Sequence, residues 1–410
     1  MLVSDWPHAI AHVDADCFFA SCELARRPDL RNRPVCVLSS QDACVVAKTY
    51  DAKAAGIRTG MPVWEAKKRL PHAEYIPADF GYYGQMSDKL FAILARFSPG
   101  IEVYSIDEGF IDLNGLRSLW RKGYGEIANA MREAVRRETG LTVSVGVSVT
   151  KTLAKIASEF NKPDGTTIVP GRRIQEFLGR VKARAIPGIG ANREALLDKF
   201  GIGTALQFIE ADEALIRKLM GRSGTDLRCE LRGEPVFSLE LEPRLPKSIA
   251  RTASLGEITV SREMLVAHLT HHTTRVATEL VMKRYMAAKL AVFLRLKSFD
   301  SASVEIRLDY PTASYFVLSR AVQAALDRLY QPGQLYRGCG VVASEIRFAA
   351  SVTHDLFGVM EHGERQGTLL ETMDAINGKY GTGTVRMLAS LPLKSRGKTR
   401  RFNYPLFEAD

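Results

Sequence analysis

Two adjacent carboxylates, Asp107 and Glu108, sit inside the run Ser105-Ile106-Asp107-Glu108-Gly109-Phe110. Strand-like residues 101–103 precede them and 110–113 follow, so the spacing predicts a tight β-hairpin that pushes the pair into a cleft. Burying two neighbouring negative charges is costly unless a cation neutralises them. A third carboxylate, Asp14, ends the apolar run Ala11-His12-Val13-Asp14-Ala15-Asp16. Three carboxylates on two strands suit Mg²⁺, a hard cation that takes oxygen ligands, and the carbonyl of Ala15 can add one more. Two such ions clamp the entering and leaving oxygens of a phosphoryl transfer. The chemistry expected of Asp14, Asp107 and Glu108 is attack of a primer 3′-hydroxyl on a triphosphate, with pyrophosphate leaving. Asp16 is either a group supporting this site or a surface acid.

Phe18 and Phe19 follow the first acidic run directly. The pattern alone favours packing in the core. A rigid aromatic ring in this place can also lie under the sugar of an incoming nucleotide and exclude a 2′-hydroxyl. Tyr50 and Lys53 are three residues apart in a predicted helix and share a face. Lys162 ends the predicted helix 151–160. These are candidate partners of a triphosphate. The turn Ile186-Pro187-Gly188-Ile189-Gly190 lets main-chain amides at Gly188 and Gly190 approach a DNA phosphate.

Elements must position these groups. Residues 8–14 and 34–39 read as strands, 45–56 and 62–70 as helices, 81–97 and 118–139 as helices, and 141–149 as a strand. Alternation of strands and helices makes the first 165 residues an α/β unit. Short glycine-broken helices follow to about 235. Residues 236–247, with Pro243 and Pro246, read as a linker. Residues 248–350 read as a smaller α+β domain, and 351–410 as a tail with little pattern.

The chain has 410 residues, more than one core normally serves, so several domains are expected. A formal charge of +10 favours polyanions, chiefly nucleic acid. Six cysteines without metal-ligand spacing read as reduced thiols of a cytoplasmic protein. No apolar run is long enough to span a membrane.

Taken together, these motifs resemble the Y-family translesion DNA polymerases. DADCFFASCE, VVAKTYDAKAAGIRTGMP, YSIDEGFIDL, GVSVTKTLAKIASEFNKPDG, IPGIG and RGEP occur in family order at family spacing. RPDL at 27–30 and the segment MDAINGKYGTGTV look like the UmuC branch, whereas Asp16, Phe19 and Tyr50 look like the DinB branch. The resemblance implies an α+β, multidomain right hand: palm 1–18 and 77–165, fingers 19–76, thumb 166–235 of helix-hairpin-helix type, a linker, a DNA-binding little finger 248–350, and a C-terminal tail. It implies Asp14, Asp107, Glu108 and Ala15 as ligands of two Mg²⁺ ions and Phe19 as the steric gate. It implies Phe18, Tyr50, Lys53 and Lys162 as nucleotide contacts, and Cys44, Val46 and Gly60 as a small-residue roof over the nascent base pair. Primer-template DNA and deoxynucleoside triphosphates are the implied partners, with low-fidelity synthesis across damaged templates as the role. Ala47 and Lys53 stand where many members carry threonine and arginine, and lysine offers a point charge where arginine offers a fork. A sliding-clamp contact is implied at Leu356 and Phe357, although Thr353 stands where the clamp motif has glutamine. UmuC-type relatives also suggest accessory damage-response proteins.

Overall fold

The computed structural model describes residues 5–39, 43–242, 244–351, 361–381, 383–391 and 393, with 361–366 as backbone only. Two compact units divide at Pro243/Arg244, inside the segment expected to be a linker.

The first unit opens with β1 (Ile10–Ala15), α1 (Phe18–Arg26), β2 (Val35–Leu38), β3 (Val45–Lys48), α2 (Tyr50–Ala54), α3 (Val63–Arg69) and β4 (Glu74–Pro77). It continues with α4 (Phe80–Leu94), β5 (Ile101–Val103), β6 (Glu108–Asp112), α5 (Leu116–Trp120), α6 (Tyr124–Thr139), β7 (Val143–Ser148), α7 (Lys151–Phe160) and β8 (Thr166–Ile168). Four further helices close it: α8 (Ile174–Gly179), α9 (Ala191–Asp198), α10 (Ala205–Glu210) and α11 (Glu213–Leu231).

Five strands form the central sheet, in the order β5-β6-β1-β7-β8. β1 runs antiparallel to both neighbours, and β5 and β6 form the expected hairpin. Both β1 and β7 are buried almost throughout, because helices cover both faces of the sheet. On one face Leu90 of α4 and Ile127 and Met131 of α6 join Val13, Val143 and Val145 in the main core. On the other lies α7, whose Leu153, Ile156 and Ala157 pack away from the sheet into a helical core with Phe177, Phe208 and Leu231. α7 begins where Thr150 caps it, its hydroxyl accepting from the Leu153 amide at 3.4 Å.

A separate three-stranded sheet, β3-β2-β4, carries its own small core around Cys36, Val45, Ile57 and Met61. Here the helix expected over 45–56 is corrected: residues 45–48 are a strand, and the helix begins only at Tyr50. Val45, Ala47 and Lys48 pair with Leu38, Val37 and Cys36 of β2, with an irregularity at Val46, and that tertiary partner overrides the local reading.

The second unit contains β9 (Ser248–Thr259), α12 (Arg262–Met282), β10 (Tyr285–Leu296), β11 (Ser301–Thr312), α13 (Tyr315–Leu329), β12 (Tyr336–Phe348) and α14 (Glu361–Tyr380). The strands form an all-antiparallel sheet in the order β11-β10-β12-β9. Leu290, Val292 and Leu294 alternate inward on β10 against Leu269 and Val276 of α12 and Leu318 and Val322 of α13. Lys289 and Arg295 take the intervening positions on β10. The patternless tail is also corrected: it holds α14, whose Leu370 joins this core.

Candidate active site

Strand register brings the first two carboxylates together. Asp14 pairs directly with Glu108 across β1 and β6, and directly opposed residues in a sheet project from the same face. His12, two residues earlier on β1, shares that face by the two-residue strand period. Its Nε2 lies 3.1 Å from Glu108 Oε2, and its Nδ1 lies 2.7 Å from Ser158 Oγ. One ligand atom each from His12, Asp14 and Glu108 lie within 4.8 Å of one another, the single such grouping among the described residues. Asp107, expected in this set, does not belong to it. Its carboxylate accepts from Ser105 Oγ, and its main-chain carbonyl accepts from the Ala15 amide at 2.9 Å. Ala15 is buried at the end of β1.

α7 supplies cations along one stripe. Lys151, Lys155, Ser158 and Lys162 follow at steps of four, three and four residues, which keeps them on one side of a helix and of the turn that continues it. Each meets a group of the sheet. Lys151 Nζ donates to both oxygens of Glu102 at 2.8 and 2.6 Å, and Lys155 Nζ donates to Glu108 Oε2. Ser158 meets His12, and Lys162 Nζ donates to Asp14 Oδ1 at 2.6 Å. Sequence reasoning found Lys162 and missed Lys155, Lys151 and His12, although the helical spacing to Lys162 and the strand spacing to Asp14 both pointed to them.

The electrostatics follow from this layout. Burial pushes the Asp14 carboxyl up to about 7 against the opposing pull of Lys162. Burial also pushes Glu108 up, but hydrogen bonds from His12 and Lys155 outweigh it and hold that carboxyl down at about 2. Burial keeps the His12 imidazole below its ordinary value, hence neutral. Two neighbouring acids thus sit in opposed environments, a common mark of a working site.

Asp16 is a support. It is buried, and its Oδ1 accepts from Ser144 Oγ at 2.9 Å while its Oδ2 accepts from the Asp164 amide at 2.8 Å. Tyr50 Oη reaches the same Oδ1 at 3.5 Å, and Lys53 Nζ stands 5.7 Å from the Tyr50 ring centre. Cys17 then turns the chain in a left-handed conformation, φ 49°, into α1. Phe18, an expected nucleotide contact, points into the core at 3% exposure, so its side chain is not available to a ligand. Phe19 is half-buried at the edge of that core and stacks on Tyr83.

The remaining expected positions are scattered more widely. Val46 lies on β3, packed against the main core. Cys44 bridges to Pro62, and the Gly60 amide donates to the Val45 carbonyl at 2.8 Å. These three residues therefore frame one end of the small sheet. Gly188 takes φ +87°, Gly190 caps α9, and the space beside the Gly190 Cα is open. Leu356 and Phe357 lie outside the described residues. None of the six cysteines is paired in a disulfide. No described helix is long and apolar enough to cross a membrane.

The first unit is thus an α+β body whose central strands carry facing carboxylates. Comparison with known proteins identifies its family. Residues 13–159 match the impB/mucB/samB family, and residues 246–356 match the C-terminal domain of the same family. The chain is 32% identical to Protein ImpB of Salmonella typhimurium, over 92% of this chain and 91% of that protein. It is 28% identical to DNA polymerase IV 1 of Bacillus subtilis, over 97% of each. Among solved structures it matches a Y-family DNA polymerase chimera of Dbh and Dpo4, with a TM-score of 0.69 and 24% identity over 83% of this chain and 99% of that one. DinB from Sulfolobus solfataricus gives a TM-score of 0.59 at 23% identity with the same coverage. The chain belongs to the impB/mucB/samB family, the Y-family translesion DNA polymerases.

Proposed function

We propose that this chain is a template-directed DNA polymerase that extends primers past damaged template bases, with two Mg²⁺ ions held by Asp14, Asp107, Glu108 and the carbonyl of Ala15. The observation that carries this reading is the direct pairing of Asp14 with Glu108 on central strands. Hard carboxylate and carbonyl oxygens fit Mg²⁺, and the neutral His12 ring orients Glu108 from behind. When bound, the ions lower the pKa of the primer 3′-hydroxyl and neutralise the triphosphate and the leaving pyrophosphate. Asp107 completes the donor set by exchanging its Ser105 partner.

The chain's own residues do the rest. Lys162, Tyr50 and Lys53 receive the triphosphate. Phe19 excludes the 2′-hydroxyl, and the small residues Cys44, Val46 and Gly60 roof the base pair loosely enough for lesions. Gly188 and Gly190 offer main-chain amides to the DNA backbone, and the basic positions of the second unit's sheet offer charge to it. Leu356 and Phe357 engage a sliding clamp, and accessory damage-response proteins act with the enzyme in the cytoplasm.

Primer extension with Mg²⁺ on intact and abasic templates tests this reading. The wild-type chain should extend both. Asp107→Ala and Glu108→Ala should abolish extension and leave DNA affinity nearly intact. Extension by either purified variant would remove that residue from the metal set.

A further inference from the structure

The first residues of the expected linker are fastened down by buried charge. Glu230, wholly buried in α11, accepts from the amides of Val236 at 2.7 Å and Phe237 at 2.9 Å through one oxygen, and from the Thr152 amide of α7 at 3.0 Å through the other. From the next residue the Lys151–Glu102 pair takes over. Lys151 Nζ donates to the Ser238 carbonyl at 3.3 Å, and Glu102 Oε2 accepts from the Glu240 amide at 2.9 Å. Between them Leu239 packs on Ile10, Phe110 and Ala154.

These contacts end on the strands that carry the acids. Glu102 pairs with Phe110 across β5 and β6, and His12 pairs with Phe110 across β1 and β6. Lys151 Nζ stands 4.6 Å from the Phe110 ring centre, and the His12 ring stands 4.7 Å from it. His12 in turn holds Glu108. Buried ion pairs add little net stability against an apolar replacement; what they impose is one geometry, with every donor and acceptor assigned.

We propose that residues 236–240 form a strap that locks α7 and the β5–β6 hairpin in register, and that Glu102 and Lys151 are positioning residues for Glu108. The proposal rests on the polymerase reading for its kinetic consequence, but the strap itself does not.

The test measures two things on Glu102→Gln, Lys151→Met and Leu239→Ala proteins. Amide hydrogen exchange follows residues 236–240 and 104–108. Single-turnover primer extension separates the maximal rate from the KM for deoxynucleotide. The expected result is faster exchange in both segments, with a maximal rate lower by roughly tenfold or more, as small misplacements of reacting groups cause. KM and DNA affinity should stay near wild type, and Lys151→Arg should recover much of the rate. Wild-type exchange at 236–240 in all three variants would overturn the strap. A rate loss without faster exchange at 104–108 would overturn the positioning role. Should the two buried-charge variants fail to fold, Leu239→Ala, which leaves both charges in place, decides the strap, and Glu102→Asp, which keeps the charge but shortens its reach, decides the positioning role by the same two readouts. A wild-type protein that exchanges as described but extends no primer would contradict the polymerase reading and not the strap.

Discussion

The ring of Phe19 lies nearly flat on that of Tyr83, with centroids 4.6 Å apart and planes 16° apart. Tyr83 is fully buried, and its hydroxyl donates to Glu23 at 2.8 Å; Glu23 in turn is held by Arg26. Phe80 stands edge-on to both rings. A ring so braced has little freedom to swing away from a ligand, which is what steric exclusion requires. Phe19→Ala should therefore admit ribonucleotides, raising their relative incorporation by at least about a hundredfold, the scale of a discrimination worth ~3 kcal/mol. Competing ribo- and deoxynucleotide incorporation by this variant checks it; an unchanged ratio would remove Phe19 from the gate.

Lys155 Nζ donates to Glu108 Oε2, so its charge would repel a divalent cation held by that carboxylate. Replacing it with methionine keeps the length of the side chain and removes the charge. Divalent cations should then bind roughly threefold to tenfold more tightly, a modest share of the Coulomb energy of two close charges near a protein surface. Calorimetric titration with Mn²⁺ in the absence of nucleotide reads this directly. Weaker binding in Lys155→Met would mean that the lysine orients Glu108 more than it competes for it.

At Gly146 of β7 the main chain of α7 lies close against the sheet. A Cβ there would fall 2.2 Å from the Ala154 carbonyl oxygen and 2.2 Å from the Ser158 amide nitrogen, both main-chain atoms that cannot step aside alone. Gly146 also pairs with His12. Gly146→Ala should cost the first unit about 3 kcal/mol or more, the upper range for overpacking. Its thermal transition should fall by roughly 6–12 °C, and primer extension should fall further than the loss of folded protein explains. A transition within a degree of wild type would show that α7 can ride over a methyl group.

His272 of α12 sits in the second unit at 3% exposure, and neither ring nitrogen has a hydrogen-bond partner among the described residues. Burial pushes its pKa from 6.5 down to about 3, and the neighbouring His271, His268, Arg275 and Arg251 push the same way. The folded ring stays neutral while the unfolded ring takes a proton below about pH 6.5, so stability is lost as pH falls from there towards 3. The expected slope is about 1.4 kcal/mol per pH unit from this residue. Thermal scans between pH 7.5 and 5 should show the decline, and His272→Leu should flatten it. An equal slope in the variant would place the sensitivity elsewhere, at His268 or His271, whose pKa values burial also lowers.

Much of this site is legible in the residues because local pattern and chemistry coincide there. The hairpin around Asp107 and Glu108, the strand ending in Asp14 and the helix Lys151–Phe160 all stand where the spacing places them. Other features depend on partners distant in the chain. Val45 and Val46 form a strand only because β2 lies beside them. α14 contains Gly363, Gly367 and Gly378, which blur its helical period, and only packing on the second core holds it. Residues 236–242 look like a free linker because nothing in their composition reveals that Glu230 and Glu102 bind their amides. Asp107 stands outside the carboxylate group with its carboxylate on the Ser105 hydroxyl, a contact within the hairpin turn that spacing does not encode.

The comb of side chains on α7 has a consequence for what this helix can tolerate. One inserted residue would turn everything beyond it by about 100° about the helix axis. Placed before Lys155, it would strand Glu108, His12 and Asp14 together while Glu102 kept its lysine. Single substitutions would each silence one tooth. A change of length would disengage the gear, so drift in this stretch should be far freer in residue identity than in residue number.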